Sequence, residues 1–277
     1  MRDTHPPHCN TGRRRTLYLL GTGLAGGGAL LIAPTAWVGG AAAWDRVEPA
    51  RALLDGAVPR TGAITLEMPG ITMDGSAVPI TVEVHHPMTA DDPVEAVYLF
   101  AAENPYPLAL EIELTPLAGR ARFSTRVRLN GSPVVALART RGGEWLADSR
   151  EIHVTSAGCL MAEHLRYEED EIMITRVRPP ARLEPGAAGE VISLINHPMQ
   201  TGLHHDDDGN PIPKRIIQRL SVDLDGEPVL RVRFHRSISA NPYLRFFIAP
   251  ERSGELALEW EEDTGRKASQ SAPIEVG

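Results

Sequence analysis

Arg120-Ala121-Arg122-Phe123-Ser124-Thr125-Arg126-Val127-Arg128-Leu129 alternates polar and apolar residues, and Asn130-Gly131 follows as a turn. Successive side chains on a strand point to opposite faces, so this stretch reads as a β-strand with one face on a core and one in water. The pattern recurs on both sides. Upstream, Ile64 to Met68, Ala77 to Val84 and Leu108 to Leu114 alternate, while Ala96-Val97-Tyr98-Leu99-Phe100 is a more continuous apolar run, as for an inner strand. Downstream, Val134 to Arg139, Glu144 to Ala147 and Glu151 to Val154 complete the series. A set of about seven short strands with turn signals between them predicts a β-sandwich of immunoglobulin type.

A second series follows. Ile172 to Arg178 starts it, Pro179-Pro180 interrupts, and Val191 to Ile195 resumes. Leu220 to Leu224 and Val229 to His235 flank Asp225-Gly226, a hairpin signal. Leu244 to Ala249, Glu255 to Trp260 and Ala272 to Val276 continue. No helical stretches separate these strands, which argues against a parallel α/β sheet. Pro 23 and Gly 25 suit many turns between short strands. The expected fold is all-β, with two immunoglobulin-like β-sandwich domains joined by a short connector. The sandwiches span 44–159 and 179–277, and the connector spans 160–178, with Glu163, Glu168, Glu169 and Asp170. Ala43 to Arg60 reads as a short helix or an arm, and Trp145, Trp260, Phe100 and Phe246 read as core. Two strings occur in both halves: His86-Pro87-Met88 with His197-Pro198-Met199, and Asn104-Pro105-Tyr106 with Asn241-Pro242-Tyr243. Their order relative to the Asn130-Gly131 and Asp225-Gly226 turns differs, so the halves are related architectures and not a repeat.

Residues 1–43 read as a signal peptide. Arg13-Arg14-Arg15 precede an apolar, glycine-rich run from Leu17 to Ile32, and Ala41-Ala42-Ala43 offers a cleavage point. Arg14-Arg15-Thr16-Leu17 is the best alignment with a twin-arginine signal, so export and a periplasmic location are expected. Loss of Arg2, Arg13, Arg14, Arg15 and Asp3 would take the formal charge from −8 to −11. Phosphate contacts need a basic face, so a nucleic-acid role is excluded.

The chain has two cysteines, and one of them, Cys9, falls in the leader. Cys159 is then left without an intramolecular partner, at the end of the first half, in Val154-Thr155-Ser156-Ala157-Gly158-Cys159-Leu160-Met161. A leftover thiol in an exported chain points to intermolecular pairing or a reactive group. The competing reading is a buried cysteine acting as a small hydrophobe. The Ser-Ala-Gly lead-in favours exposure.

Other constellations are weaker. His204-His205-Asp206-Asp207-Asp208-Gly209-Asn210 has alternate oxygen ligands, but its glycine comes too early for a calcium loop and no glutamate closes it. A polar hairpin loop between strands is the simpler account, and no metal or cofactor is expected. His85-His86 and His197 read as strand-end histidines, and His153 reads as a strand-face residue with no direct role. Gly-x-Ser-x-Gly, Walker and Cys-x-x-Cys signatures are all missing, so the chain is not expected to be an enzyme.

The motifs in order resemble a known pair of families. Val78-Pro79-Ile80, Pro87-Met88-Thr89, Asn104-Pro105, Leu114-Thr115-Pro116, Ser124 to Leu129 and Val154 to Cys159 resemble SoxY. His197-Pro198-Met199, Thr201-Gly202, Asp208 to Pro213 and Ile238 to Leu244 resemble SoxZ. The resemblance implies a fused SoxY–SoxZ sulfur carrier of periplasmic sulfur oxidation. It implies covalent carriage of sulfur intermediates on Cys159, an arm of Ala157, Gly158 and Leu160, and two sandwiches packed on each other. The implied partners are enzymes that conjugate thiosulfate, hydrolyse off sulfate and oxidise the remaining sulfane. The family arm is glycine on both sides of its cysteine and ends the SoxY chain. Here Leu160-Met161 follow, so the thiol is expected on a loop tethered at both ends. That departure resembles a variant group associated with quinoprotein dehydrogenases. A non-covalent adaptor for such a dehydrogenase, with Cys159 inert, is the alternative.

Overall fold

The computed structural model describes residues 42–158, 167–206 and 208–277. Nearly all of the leader therefore lies outside the described residues, as do Cys159, Leu160 and most of the connector. Among the described residues, no helix is long and apolar enough to cross a membrane.

The first half opens with a 3-10 turn, Ala43–Arg46, and helix α1 (Glu48–Leu54). Its strands are β1 (Arg60–Thr61), β2 (Ile64–Glu67), β3 (Ile71–Thr72), β4 (Val78–Val84), β5 (Val94–Ala101), β6 (Leu108–Leu114), β7 (Arg122–Val127), β8 (Val134–Thr140), β9 (Trp145–Arg150) and β10 (His153–Val154). The second half contributes β11 (Thr175–Arg178), β12 (Gly189–Ile195), β13 (Ile217–Leu224), β14 (Glu227–Phe234), β15 (Tyr243–Ile248), β16 (Gly254–Glu262) and β17 (Lys267–Ile274). The opening stretch forms β7 as its alternation requires: Phe123, Thr125 and Val127 are buried. The β13–β14 hairpin turns through Asp225 (φ 50°) and Gly226 (φ 85°), the two left-handed residues that a tight two-residue hairpin demands.

The halves do more than pack. A nine-stranded sheet runs β1-β9-β8-β5-β6-β14-β13-β16-β17, and a six-stranded sheet runs β11-β12-β15-β7-β4-β2. Each crosses from one half to the other. In the larger sheet β6 pairs antiparallel with β14, from Leu230 opposite Leu114 to Phe234 opposite Leu110. In the smaller sheet β15 meets β7 at Arg245 and Ser124, and Ile238 bridges Val127 nearby. A strand edge left in water is a liability, and each half closes the other's edges. The apolar core is continuous as well, with Val82, Leu110 and Phe123 from the first half and Val222, Phe246 and Trp260 from the second in one cluster.

Helix α1 accounts for the unbroken apolar run of β5. Its Ala50 and Leu54, with Val47 at its N-cap, cover Phe100, Val135, Leu137 and Ala147 on the outer face of the larger sheet. The central strands β5 and β8 are thereby buried on both faces, and alternation is lost where both faces are dry. Trp145 sits at the margin of this small cluster, half-buried, with its ring 6.0 Å from that of Tyr98. Trp260, Phe100 and Phe246 are fully enclosed, Trp260 stacked on Phe234 at 5.5 Å.

Candidate functional site

The chain leading to Cys159 is bound to the first sandwich almost to its last described atom. β10 pairs in parallel with β3, placing His153 beside Ile71 and Val154 beside Thr72. The Thr155 amide donates to the Thr72 carbonyl at 3.0 Å, and the Gly75 amide donates to the Ser156 carbonyl at 2.9 Å. The Gly158 amide donates to the Leu129 carbonyl at 2.9 Å, and the Leu129 amide donates to the Gly75 carbonyl at 2.8 Å. Leu129 closes the stretch that opened the sequence reading, two residues past the end of β7, so the segment leaving that strand holds the root of the thiol.

Of the arm that the resemblance implies, Ala157 and Gly158 are described, and the Gly158 amide is bound. Gly158 is buried and Ala157 half-buried. A Cβ on Gly158 would overlap the Gly75 carbonyl, and one on Gly75 would overlap the Leu129 carbonyl. Both glycines are there because two backbones approach too closely for any side chain. Cys159 and Leu160 lie outside the described residues. Covalent geometry alone puts the Cys159 Cα about 3.8 Å from that of Gly158, so the thiol stands one residue from a fixed point.

Beyond residue 166 the chain is held again, by the second half. The Tyr167 hydroxyl donates to Asn241 Oδ1 at 3.0 Å, and the same oxygen accepts the His197 amide at 3.0 Å. Asn241 belongs to the second copy of the Asn-Pro-Tyr string. Asn104, of the first copy, works at the seam between halves: its Nδ2 donates to the Arg128 carbonyl at 2.7 Å and to Ser237 Oγ at 2.9 Å. Both strings thus serve to fix turns by side-chain hydrogen bonds.

Glu169 is clasped by two guanidinium groups. Arg215 grips both its carboxylate oxygens, at 3.0 and 2.8 Å, and Arg266 adds a third contact. Arg215, then Arg266, hold the Glu169 carboxyl at about 2, well below the ordinary value of 4.5. Because the folded value is the lower one, this contribution to stability is present above about 4.5 and is lost as pH falls toward about 2. Urea midpoints measured between those pH values should drop less for Glu169→Gln than for the wild-type chain. Parallel curves would show that the clasp contributes nothing.

Arg215 also reaches inward, its Nε donating to Glu262 Oε1 at 2.7 Å. Glu262 is enclosed, and it also accepts from His197 Nε2 at 2.9 Å and from the Thr264 hydroxyl. His197 is equally buried, and its Nδ1 accepts the Met199 amide at 3.0 Å. An accepting Nδ1 places the single ring proton on Nε2, facing Glu262. Burial pushes the His197 pKa down despite the carboxylate beside it, so the ring is neutral. Sequence reading placed His197 at a strand end and missed Glu262 altogether. The signal was present: Leu256, Leu258, Trp260 and Glu262 share one face of β16 by their period of two.

The remaining histidines and acidic residues are dispersed. Among the described residues, no group of three or more His, Cys, Asp or Glu is placed to hold a metal ion. The Asp206 carboxylate accepts the amides of Asp208 at 3.0 Å and Asn210 at 2.8 Å, so its alternate spacing serves the loop's own backbone. His153 is exposed, on β10.

Residues 50–159 match the family model described as Sulfur oxidation protein SoxY, and residues 177–273 match that described as Sulphur oxidation protein SoxZ. No curated protein matches the chain. Among solved structures, the sulfur carrier protein SoxY from Chlorobium limicola f thiosulfatophilum is 24% identical with a TM-score of 0.34, covering 40% of this chain and 98% of its own. Superoxide reductase (Neelaredoxin) from Ignicoccus hospitalis is 14% identical with a TM-score of 0.32, covering 35% of this chain and 94% of its own.

Proposed function

The chain is a fused SoxYZ-like protein with a sulfur-oxidation carrier role, and we propose that it holds sulfur-oxidation intermediates covalently on Cys159 and presents them to partner enzymes. The observation that carries this reading is the position of the thiol. The SoxY match ends on Cys159, the chain's single cysteine outside the proposed leader. The fixed Gly158 supports it, because a carrier group must be offered at a defined place. The thiolate is the nucleophile. Joining thiosulfate to it forms a sulfur–sulfur bond and releases two electrons to the partner's acceptor. Hydrolysis then takes up water, frees sulfate and leaves a persulfide, a reversible cap on the cysteine. This chain's part is to hold the sulfur and not to turn it over, so it is a platform and not an enzyme.

Family membership implies interaction with sulfur-oxidation enzymes. The periplasm is the proposed compartment, reached by the twin-arginine-like leader. Fusion gives the two halves a high effective concentration for each other, in place of bimolecular assembly.

Mass spectrometry of the protein purified from its source tests the proposal. Adducts of sulfane or thiosulfonate mass are expected on the Cys159 peptide, removed by reductant. Cys159→Ser should fold normally and lose sulfur-dependent electron transfer. A Cys159 that stays free and resists alkylation on every growth substrate would leave the adaptor reading in its place.

A further inference from the structure

Among the described residues most large apolar side chains are enclosed, and five stand exposed: Val58, Ile71, Met73, Tyr106 and Ile174. Two of the five are neighbours at the root of the thiol. Ile71 is 68% exposed and Met73 71% exposed. Both belong to the segment that β10 pairs with, and the Thr155 hydroxyl donates to Met73 Sδ at 3.6 Å. The segment then runs into Gly75, against which Gly158 is packed. Acidic residues lie beside it in the chain, Asp74 next to Met73 and Glu151 two residues before His153.

Resting on the carrier reading, we infer that the strip bearing Ile71 and Met73 is where a sulfur-oxidising enzyme seats when it works on Cys159. The argument is one of reach. Gly158 is fixed by a hydrogen bond and by a backbone contact that admits no side chain. Cys159 follows within one peptide unit, about 3.8 Å. A swinging arm several residues long could carry its sulfur deep into an enzyme whose body stays clear of the carrier. A thiol one residue from a fixed point cannot do so from its N-terminal side. The enzyme must bring its active-site mouth down onto the surface around Gly158, and Ile71 and Met73 stand exposed on the segment that leads into Gly75, against which Gly158 packs. Contacts that exclude water around a reacting group are apolar at the centre and polar at the rim. Here the centre is an isoleucine and a methionine, the latter a side chain that adapts to irregular surfaces and to more than one partner. The rim is acidic. The occupant is accordingly an enzyme whose mouth carries an apolar collar within a basic surround.

The test follows the first appearance of the adduct. Source cells lacking the native copy would express the full chain, be starved, and receive thiosulfate, with the Cys159 peptide sampled by mass spectrometry over time. Ile71→Glu with Met73→Glu puts two carboxylates on an already exposed strip. Loss of a central apolar anchor typically costs a factor of ten or more, so the initial rate of loading should fall at least about tenfold. Reaction of purified Cys159 with a small disulfide reagent should stay at the wild-type rate, which separates docking from a change in the thiol itself. Val58→Glu, at a site 93% exposed before β1, should load as the wild type does. Loading of the double variant at or above the wild-type rate overturns the docking surface alone, as does an equal fall in Val58→Glu or a matching loss of reagent reactivity. Absence of any adduct on the wild-type chain removes the carrier reading, and the docking surface with it.

Discussion

Glu262→Leu should lower the unfolding free energy by about 3–5 kcal/mol, the cost of removing one member of a buried ionic group and stranding the rest. The carboxylate is enclosed and serves three donors: neutral His197, cationic Arg215 and the Thr264 hydroxyl. Leucine fills a similar volume but accepts none of these bonds. His197 suffers most. Its Nε2 proton faces the lost oxygen, its Nδ1 is already engaged by the Met199 amide, and it has no route to water. Arg215 is partly exposed and keeps Glu169, so its loss is smaller. Urea unfolding of the full chain measures the change. The double variant His197→Leu with Glu262→Leu should recover part of it, because one orphaned donor is then gone. A Glu262→Leu midpoint equal to wild type would show that the group contributes nothing net to stability. The same variant should loosen the Glu169 clasp, since Arg215 is then aimed by one carboxylate and not by two.

Much of this architecture was legible because strand alternation survives wherever one face meets water. β7, β6 and β4 fall close to their expected bounds, and the Asp225-Gly226 hairpin lies where the dipeptide placed it. That the halves pack on each other followed from the resemblance, but their joining in shared sheets was not legible. Arg128 alternates as a surface residue at the end of the quoted stretch. In the structure it is 1% exposed, and its guanidinium reaches the carbonyls of Arg236 and Ile238 in the other half. Period two tells which side of a strand faces a given direction, not what stands there, so a surface covered by the second sandwich reads as a surface covered by water. The unbroken run of β5 had the converse fate. It was read as an inner strand correctly, but the helix covering its outer face has too short a pattern to be distinguished from an arm. At the candidate site, cysteine arithmetic singles out Cys159, which lies outside the described residues. The physical role of its neighbour was not legible, because glycine has two uses, freedom and closeness, and sequence alone does not choose between them.

Gly158→Ala separates those two uses, and its effect on loading is expected to be the larger for being local. If glycine were there for mobility, one methyl would stiffen the backbone slightly and loading would barely change. The structure instead sets that methyl against the Gly75 carbonyl, with the Ser76 amide beside it. These are backbone atoms held in turn by Leu129 and Ser156, so no flexible side chain can yield. Either Gly75 or Gly158 must shift, at a cost of about 1–3 kcal/mol, as for an overfilled core. A displacement of about 1 Å in a group that must be presented to another active site can lower a rate about 10²-fold. Thiosulfate-dependent loading of Cys159 in source cells should fall by about that factor. Reaction of the purified protein with a small disulfide reagent needs no such alignment and should change little. Gly70→Ala supplies the control in the same neighbourhood: Gly70 also supports β10, accepting the His153 amide at 2.9 Å, yet its added methyl would meet open space. Loading of Gly158→Ala at the wild-type rate would mean that the root of the thiol needs no fixed position, and the carrier would then work as a freely moving arm after all.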